Sequence, residues 1–205
     1  LVDAAQSFGQ IPCETAAASS DIYAFTGHKW ACGPEGLGGV AISDRVLQET
    51  APTVIGWRSL EDESKADLTS PDPFHHDSRR FEVATSCVPL MAGLRSSIDL
   101  LNREGNPEQR LDRIQEHSHS LWNALNSLDG ASTLLNVPPS TGLVSFQLAG
   151  EKTPAGMVKA LGRQRIWIRD LADPSCLRAC LHVLTSEEEK AQLIEALGKR
   201  HQFDA

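Results

Sequence analysis

The sequence predicts an α/β protein in two parts: a piece of a larger domain over residues 1–105 and a small α/β domain over residues 106–205. Three observations carry this. Short apolar runs at Leu1–Ala5, at Asp21–Phe25 and in VAISD up to Asp44 are bounded by polar, Gly and Pro residues, as the buried strands of a central sheet are. Apolar residues recur three and four apart in MAGLRSSIDLL after Val88, and again from Pro107 through LDRIQEHSHSLWNAL to Leu128, as they do on amphipathic helices. Beyond Gly130 short strands alternate with helices, and the stretch from Gly105 to Pro107 punctuates the two parts.

Taken in order, the strand at Leu1 enters a loop, and the strand ending at Phe25 runs into TGHKW. GPEGLGG follows, with four glycines between Gly33 and Gly39, and then the VAISD strand. Residues 59–80 are polar, Pro-containing and aperiodic, which makes them a loop or lid too long for a mere connection. After the two long helices the pattern gives a strand over Leu143–Leu148, a helix over Pro154–Gly162, strands over Ile166–Arg169 and Leu177–Leu184, and a helix over Ser186–Leu197. Thr185 or Ser186 ahead of three glutamates is a good N-cap with acidic residues in the first turn.

Composition excludes several partners. Among 205 residues, 19 Lys and Arg stand against 27 Asp and Glu, a net charge of −8 with no basic block, so nucleic acid and anionic membrane are poor partners. No apolar run approaches the ~20 residues of a membrane span. The five scattered cysteines favour a reducing compartment, and the expectation is a soluble, cytoplasmic protein. Leu1 in place of an initiator methionine, and a start inside an apparent strand, suggest that the chain begins within a larger protein.

Lys29 lies in TGHKW, between a strand and a glycine-rich turn, where an amine can reach a ligand with little bulk around it. An isolated lysine is ordinarily a surface residue. Its neighbours change that balance: the Thr26 hydroxyl, the His28 imidazole and the N–H groups of the turn together suggest a phosphate cup beside an amine. Asp3, at the end of the first strand, serves alone as a strand-terminal cap. Paired with Lys29 it has a second use, since a carboxylate beside a pyridine nitrogen keeps that nitrogen protonated. Gln6 could then donate to a ring hydroxyl.

The segments DAAQSFGQIP, DIYAFTGHKWACGPEGLGGVAI, RRFEVATSCVPLMAGLRSSIDLL and IRDLADPSCLRACLHVLTSEEE, in that order, resemble the fold type I, class V aminotransferase superfamily of pyridoxal 5'-phosphate (PLP) enzymes, home of the cysteine desulfurases. The resemblance implies that the first part is the end of the PLP-binding large domain, a mainly parallel sheet with helices, and that the second is the small C-terminal domain. It implies Asp3 as the pyridinium partner, Gln6 as the ligand of the ring oxygen, Lys29 as the Schiff-base lysine, and Thr26 and His28 as phosphate ligands. Thr85 in EVATS matches a phosphate ligand that the family supplies from the other subunit of a homodimer. Arg178 falls on the substrate α-carboxylate, with Arg169 at the same end of the pocket. Each of these arginines interrupts an apolar strand, where an unpaired guanidinium is costly and a carboxylate answers the cost. Trp57, before the polar loop, is either a satellite core residue or a wall of the substrate site that shields a reactive intermediate from water.

One departure from the family pattern bears on the reaction. Cysteine desulfurases carry a nucleophilic cysteine five residues after the position of Arg169, and here Pro174 stands there. Cys176 is two residues later, entering the strand. With EVATS, GHKWACGP and ADPSCLRAC, this places the chain nearest the cysteine/cystine carbon–sulfur lyase branch, whose implied reaction is β-elimination to pyruvate, ammonia and persulfide or sulfide, with a possible sulfur acceptor. The rivals are a desulfurase or a racemase of the same superfamily, and a noncatalytic fragment, because the family's first half, with its phosphate loop and ring-stacking residue, has no counterpart before Asp3. Cys176, Cys180 and His182 could suggest zinc, but Cys180 and His182 merely share a strand face and a fourth ligand is missing, so no metal is expected. His75, His76, His117 and His119 are read as solvated or rim residues.

Overall fold

The computed structural model describes residues 1–62, 72–150 and 153–200. The chain divides into two compact units, Leu1–Arg103 and Glu104–Ala205. Among the described residues no helix is long and apolar enough to cross a membrane.

In the first unit a three-stranded sheet is ordered β1–β2–β3, with β1 at Val2–Asp3, β2 at Ile22–Thr26 and β3 at Gly38–Ile42. β1 runs parallel to β2, with Val2 opposite Tyr23 and Asp3 opposite Ala24. β2 and β3 are antiparallel, from Ile22 opposite Ile42 to Thr26 opposite Gly38. This piece of sheet thus holds one pairing of each kind. Two short helices were not legible in the pattern, α1 at Glu14–Ala18 and α2 at Asp44–Glu49. Neither buries a residue, so neither leaves an amphipathic trace, although Ser43 caps α2 by accepting from the Val46 N–H at 3.3 Å. Of the expected polar loop at 59–80, residues 63–71 lie outside the described residues, and the rest contributes single 3-10 turns at Trp57–Ser59 and Ser78–Phe81. The first long helix, α3, spans Val88–Arg103 and buries Leu94, Ser97 and Leu101, one stripe of its surface.

The second unit opens with α4 at Pro107–Asn126, where Asn106 and Gln109 satisfy each other's backbone N–H in a capping box. Its sheet is antiparallel throughout, ordered β4–β5–β7–β6, from β4 at Ala131–Thr133, β5 at Leu143–Leu148, β6 at Arg169–Ala172 and β7 at Ser175–Cys180. α5 at Pro154–Gly162 and α6 at Glu187–Gly198 start on the caps Thr153 and Ser186, the latter in a second capping box with Glu189. Val144 and Phe146 of β5 and Leu177 and Ala179 of β7 point one way, onto Leu121 and Leu125 of α4, Met157 and Leu161 of α5, and Leu193 and Leu197 of α6. Each of the larger of these side chains, fully withdrawn from water, contributes roughly 1.5–3 kcal/mol, so this core holds the unit together.

Two strands sit differently from the expectation. The expected strand Ile166–Arg169 is found at Arg169–Ala172, and the expected strand Leu177–Leu184 at Ser175–Cys180. The apolar residues that misplace them sit outside any ladder: Ile166 and Ile168 pack, partly buried, on the core ahead of β6, while Leu181 and Val183 are buried after β7. His182 is therefore in a turn, where its backbone N–H donates to the Thr185 hydroxyl at 2.8 Å and its Nδ1 accepts from the Leu184 N–H at 3.2 Å. The two helical histidines are engaged as well. His119 Nε2 meets the Pro139 carbonyl at 3.0 Å, and His117 Nδ1 lies 3.5 Å from Glu187, which also pairs with the buried Lys190 at 2.7 Å.

Two outcomes test this packing. Gly9, at φ +90°, lies on the next loop so closely that a Cβ would come within 2.6 Å of Ala31 N and the Trp30 carbonyl carbon. Gly9→Ala should lower stability by about 3 kcal/mol, read from the denaturant midpoint, and an unchanged midpoint would contradict the contact. Burial first, and then the Lys190 ammonium, hold the His117 imidazole below its ordinary 6.5, against the opposing pull of Glu187 and Glu116. The unfolded chain therefore binds the proton more readily, and stability present near neutrality is lost as pH falls through the folded value. Wild type should lose stability more steeply than His117→Gln between pH 7 and 5 in thermal unfolding, and the reverse order would refute the assignment.

Candidate functional site

Because β1 and β2 are parallel neighbours, their carboxyl ends open on the same edge of the sheet, the usual place for ligands in parallel α/β sheets. Asp3 ends β1 and Thr26 ends β2, and the loops that follow carry Gln6 on one side and His28 and Lys29 on the other. The structure thus gathers Asp3, Gln6, Thr26, His28 and Lys29 at one edge. Asp3 is exposed, and its Oδ1 accepts from the Ala5 N–H at 2.9 Å, which fixes the carboxylate and leaves Oδ2 to another donor. Gln6 Oε1 accepts from the Trp30 indole at 2.9 Å. Thr26 Oγ1 and His28 Nδ1 stand 2.6 Å apart. Whichever of the two donates, one proton of the pair remains outward, on His28 Nε2 or on the Thr26 hydroxyl.

Lys29 is exposed, and its carbonyl accepts from the Cys32 N–H at 2.9 Å to close a turn in which Cys32 takes φ +53°. The N–H groups of Gly27 and Gly33 are also spent inside the loop, on Leu37 O and Gly27 O. These two amides are therefore already engaged and do not line the expected phosphate cup. α3 supports the loop from below. A Cβ at Gly33 would come within 2.7 Å of Leu94 Cδ1, and Ser97 Oγ donates to the Cys32 carbonyl at 2.9 Å.

Thr85 is exposed, three residues ahead of α3, and Trp57 is 44% exposed with the Arg58 guanidinium 5.3 Å from its ring centre. Their segments lie against each other: the Ser59 hydroxyl donates to Glu82 O at 2.6 Å, and a Cβ at Gly56 would fall 1.8 Å from Val83 O.

In the second unit, the sheet face away from the core carries a row of polar side chains. Register sets Ser145 of β5 opposite Arg178 of β7, and Arg178 opposite Arg169 of β6. Two like charges directly opposite each other repel, and the Arg178 Nε is buried with no hydrogen-bond partner. Cys176, on the same face as Arg178, is fully buried, and that burial pushes its thiol up against the smaller opposite effects of Ser145 and Arg178. β6 and β7 meet in a tight hairpin, Ala172 opposite Ser175, so Asp173 and Pro174 are the whole loop. Among the described residues no cluster of three His, Cys, Asp or Glu could hold a metal ion.

Trp30, Gln10 and Gly9 were not singled out from the sequence, yet they fix Gln6 in place. The available signal was a tryptophan directly after Lys29 and a glycine three residues after Gln6.

The chain is similar to several described proteins. The chain is 32% identical over 187 residues to a probable cysteine desulfurase of Streptomyces coelicolor, covering 86% of this chain and 42% of that protein. A probable cysteine desulfurase of Methanothermobacter thermautotrophicus is 32% identical over 152 residues, covering 72% and 36%. The chain thus spans less than half the length of these relatives. A solved complex between the cystine C-S lyase C-DES and its reaction product cysteine persulfide superposes with a TM-score of 0.87 at 40% identity, over 94% of this chain and 50% of that one. A second C-DES structure, with glycine covalently linked to the PLP cofactor, matches equally well. The sequence profile of the family Aminotransferase class-V covers residues 1–191, and the chain belongs to that family, whose fold type I enzymes depend on PLP.

Proposed function

We propose that this chain is the C-terminal part of a PLP-dependent carbon–sulfur lyase that performs β-elimination on cystine or cysteine. The observation that carries this is the β6–β7 hairpin. A desulfurase needs a mobile, ionisable cysteine there, whereas this chain has a two-residue turn containing Pro174 and a fully buried Cys176 whose thiol burial has pushed up. The thiolate is the nucleophile, so such a thiol is inert.

The side chains at the sheet edge fit PLP: a carboxylate for the ring nitrogen, an amide donor for the ring oxygen, outward donors for the phosphate and an exposed amine. When bound, the cofactor supplies an electron sink that stabilises negative charge at the substrate Cα. Asp3 keeps the ring nitrogen protonated through its free Oδ2, and Gln6 donates to the ring oxygen. Thr26 and His28 hold the phosphate, with Thr85 doing so across a homodimer. Lys29 Nζ takes the Cα proton, the Cβ–S bond breaks, and both bonding electrons leave with sulfur. Cystine releases cysteine persulfide, a better leaving group than sulfide from cysteine because its conjugate acid is the stronger acid. Hydrolysis of the remainder gives pyruvate and ammonia.

Arg178 takes the substrate α-carboxylate, and Arg169 stands in register beside it. Trp57 walls the substrate site against water. The persulfide passes to a sulfur acceptor. Among the described residues the cysteines form no disulfide, which agrees with a cytoplasmic setting.

Two outcomes test the reading in the full-length protein. Cystine should yield pyruvate and ammonia, and Cys176→Ala should keep most of the turnover. Alanine as the main product, abolished in Cys176→Ala, would replace the lyase with a desulfurase. Arg178→Ala should cost on the order of 2–5 kcal/mol in kcat/KM for amino acids, more than Arg169→Ala, whose position at the outer strand is open to solvent. Equal and negligible losses would remove both residues from the substrate site.

A further inference from the structure

Trp30 follows Lys29 directly and is 5% exposed. Its indole N–H reaches back 24 residues to Gln6 Oε1 at 2.9 Å. An indole donates and accepts nothing, so the amide oxygen of Gln6, and not its NH2, must face Trp30. The two N–H donors of Nε2 are therefore turned to the other side. Gln6 is held at its backbone too, where its carbonyl accepts from Gln10 Nε2 at 2.6 Å. Gly9, with no Cβ, seats this loop directly on the Trp30–Ala31 peptide.

We propose that Trp30 is a positioning residue for the cofactor ring, acting through Gln6: it holds the amide so that only N–H donors meet the ring oxygen. The inference rests on the cofactor site proposed above and names a residue that site did not include. An unheld glutamine amide is free to turn about its last torsion, and its N–H groups are then no longer fixed on one acceptor. Facing an oxygen with negative character, the flipped form repels and the held form donates. Trp30 thereby ties the orientation of the ring-oxygen donor to the loop that carries Lys29, so the two move together.

The test is a pH titration of the visible absorption band of the cofactor bound to the full-length protein, in wild type, Gln6→Leu, Trp30→Phe and the double variant. Losing the donor makes the ring oxygen more basic, so the proton it shares is held more tightly and the midpoint rises. Gln6→Leu should raise the midpoint on the order of one pH unit, Trp30→Phe should raise it in the same direction by a smaller amount, and the double variant should rise no further than Gln6→Leu alone. An unmoved midpoint in Trp30→Phe, or additive shifts in the double variant, would overturn the proposal. If Trp30→Phe does not fold, the benzothienyl isostere of tryptophan at position 30, with sulfur in place of the N–H and nearly the same volume, must give the same shift. A wild type with no visible band dependent on Lys29 would refute the cofactor site, and this inference with it. A wild-type band lost in Lys29→Ala but unmoved in Trp30→Phe would refute this inference alone.

Discussion

The parallel pairing of β1 with β2 is the constraint on which the first unit turns. Parallel strands share an orientation, so the residues that end them open on one edge, and the chain between them must cross back without blocking it. With Asp3 opposite Ala24, the β1 carboxylate and the Thr26–Lys29 segment that ends β2 are brought to the same place by backbone hydrogen bonds alone. Moving that register by one residue would turn Asp3 to the opposite face of the sheet. Everything proposed for Asp3, Gln6 and Lys29 depends on it.

The loops at that edge are held by close approach more than by apolar mass. Gly9 on the Trp30–Ala31 peptide and Gly33 against Leu94 are contacts a Cβ would forbid, and Ser97 fastens the Cys32 carbonyl to α3. This leaves Lys29 exposed on a closely packed loop, as the role proposed for its amine requires. The second unit works differently. There a helix-covered core fixes the sheet, and the opposite face is free to carry Ser145, Arg178 and Arg169 in one row.

Much of this was legible in the residues, and what was not has particular causes. α3 to α6 declare themselves through spacing and caps, Asn106 with Gln109 and Ser186 with Glu189 among them. β6 and β7 were displaced because Leu181 and Val183 are buried, and Ile166 and Ile168 partly buried, without joining a ladder, and apolar pattern reports burial, not pairing. β4, α1 and α2 are short and almost unburied, so no pattern marks them. Lys29, Asp3, Gln6, Thr26 and His28 were singled out from their residue types and neighbours, and the family resemblance then brought these distant segments together on paper. The bond from Trp30 to Gln6 was not, because a contact across 24 residues leaves no local trace.

The central claim is that the edge formed by β1 and β2 is a cofactor site whose amine is Lys29. Borohydride reduction of the full-length protein with PLP, followed by peptide mapping, addresses it directly. The account predicts one pyridoxyl adduct, on Lys29, and an adduct on another lysine, or none, would contradict it.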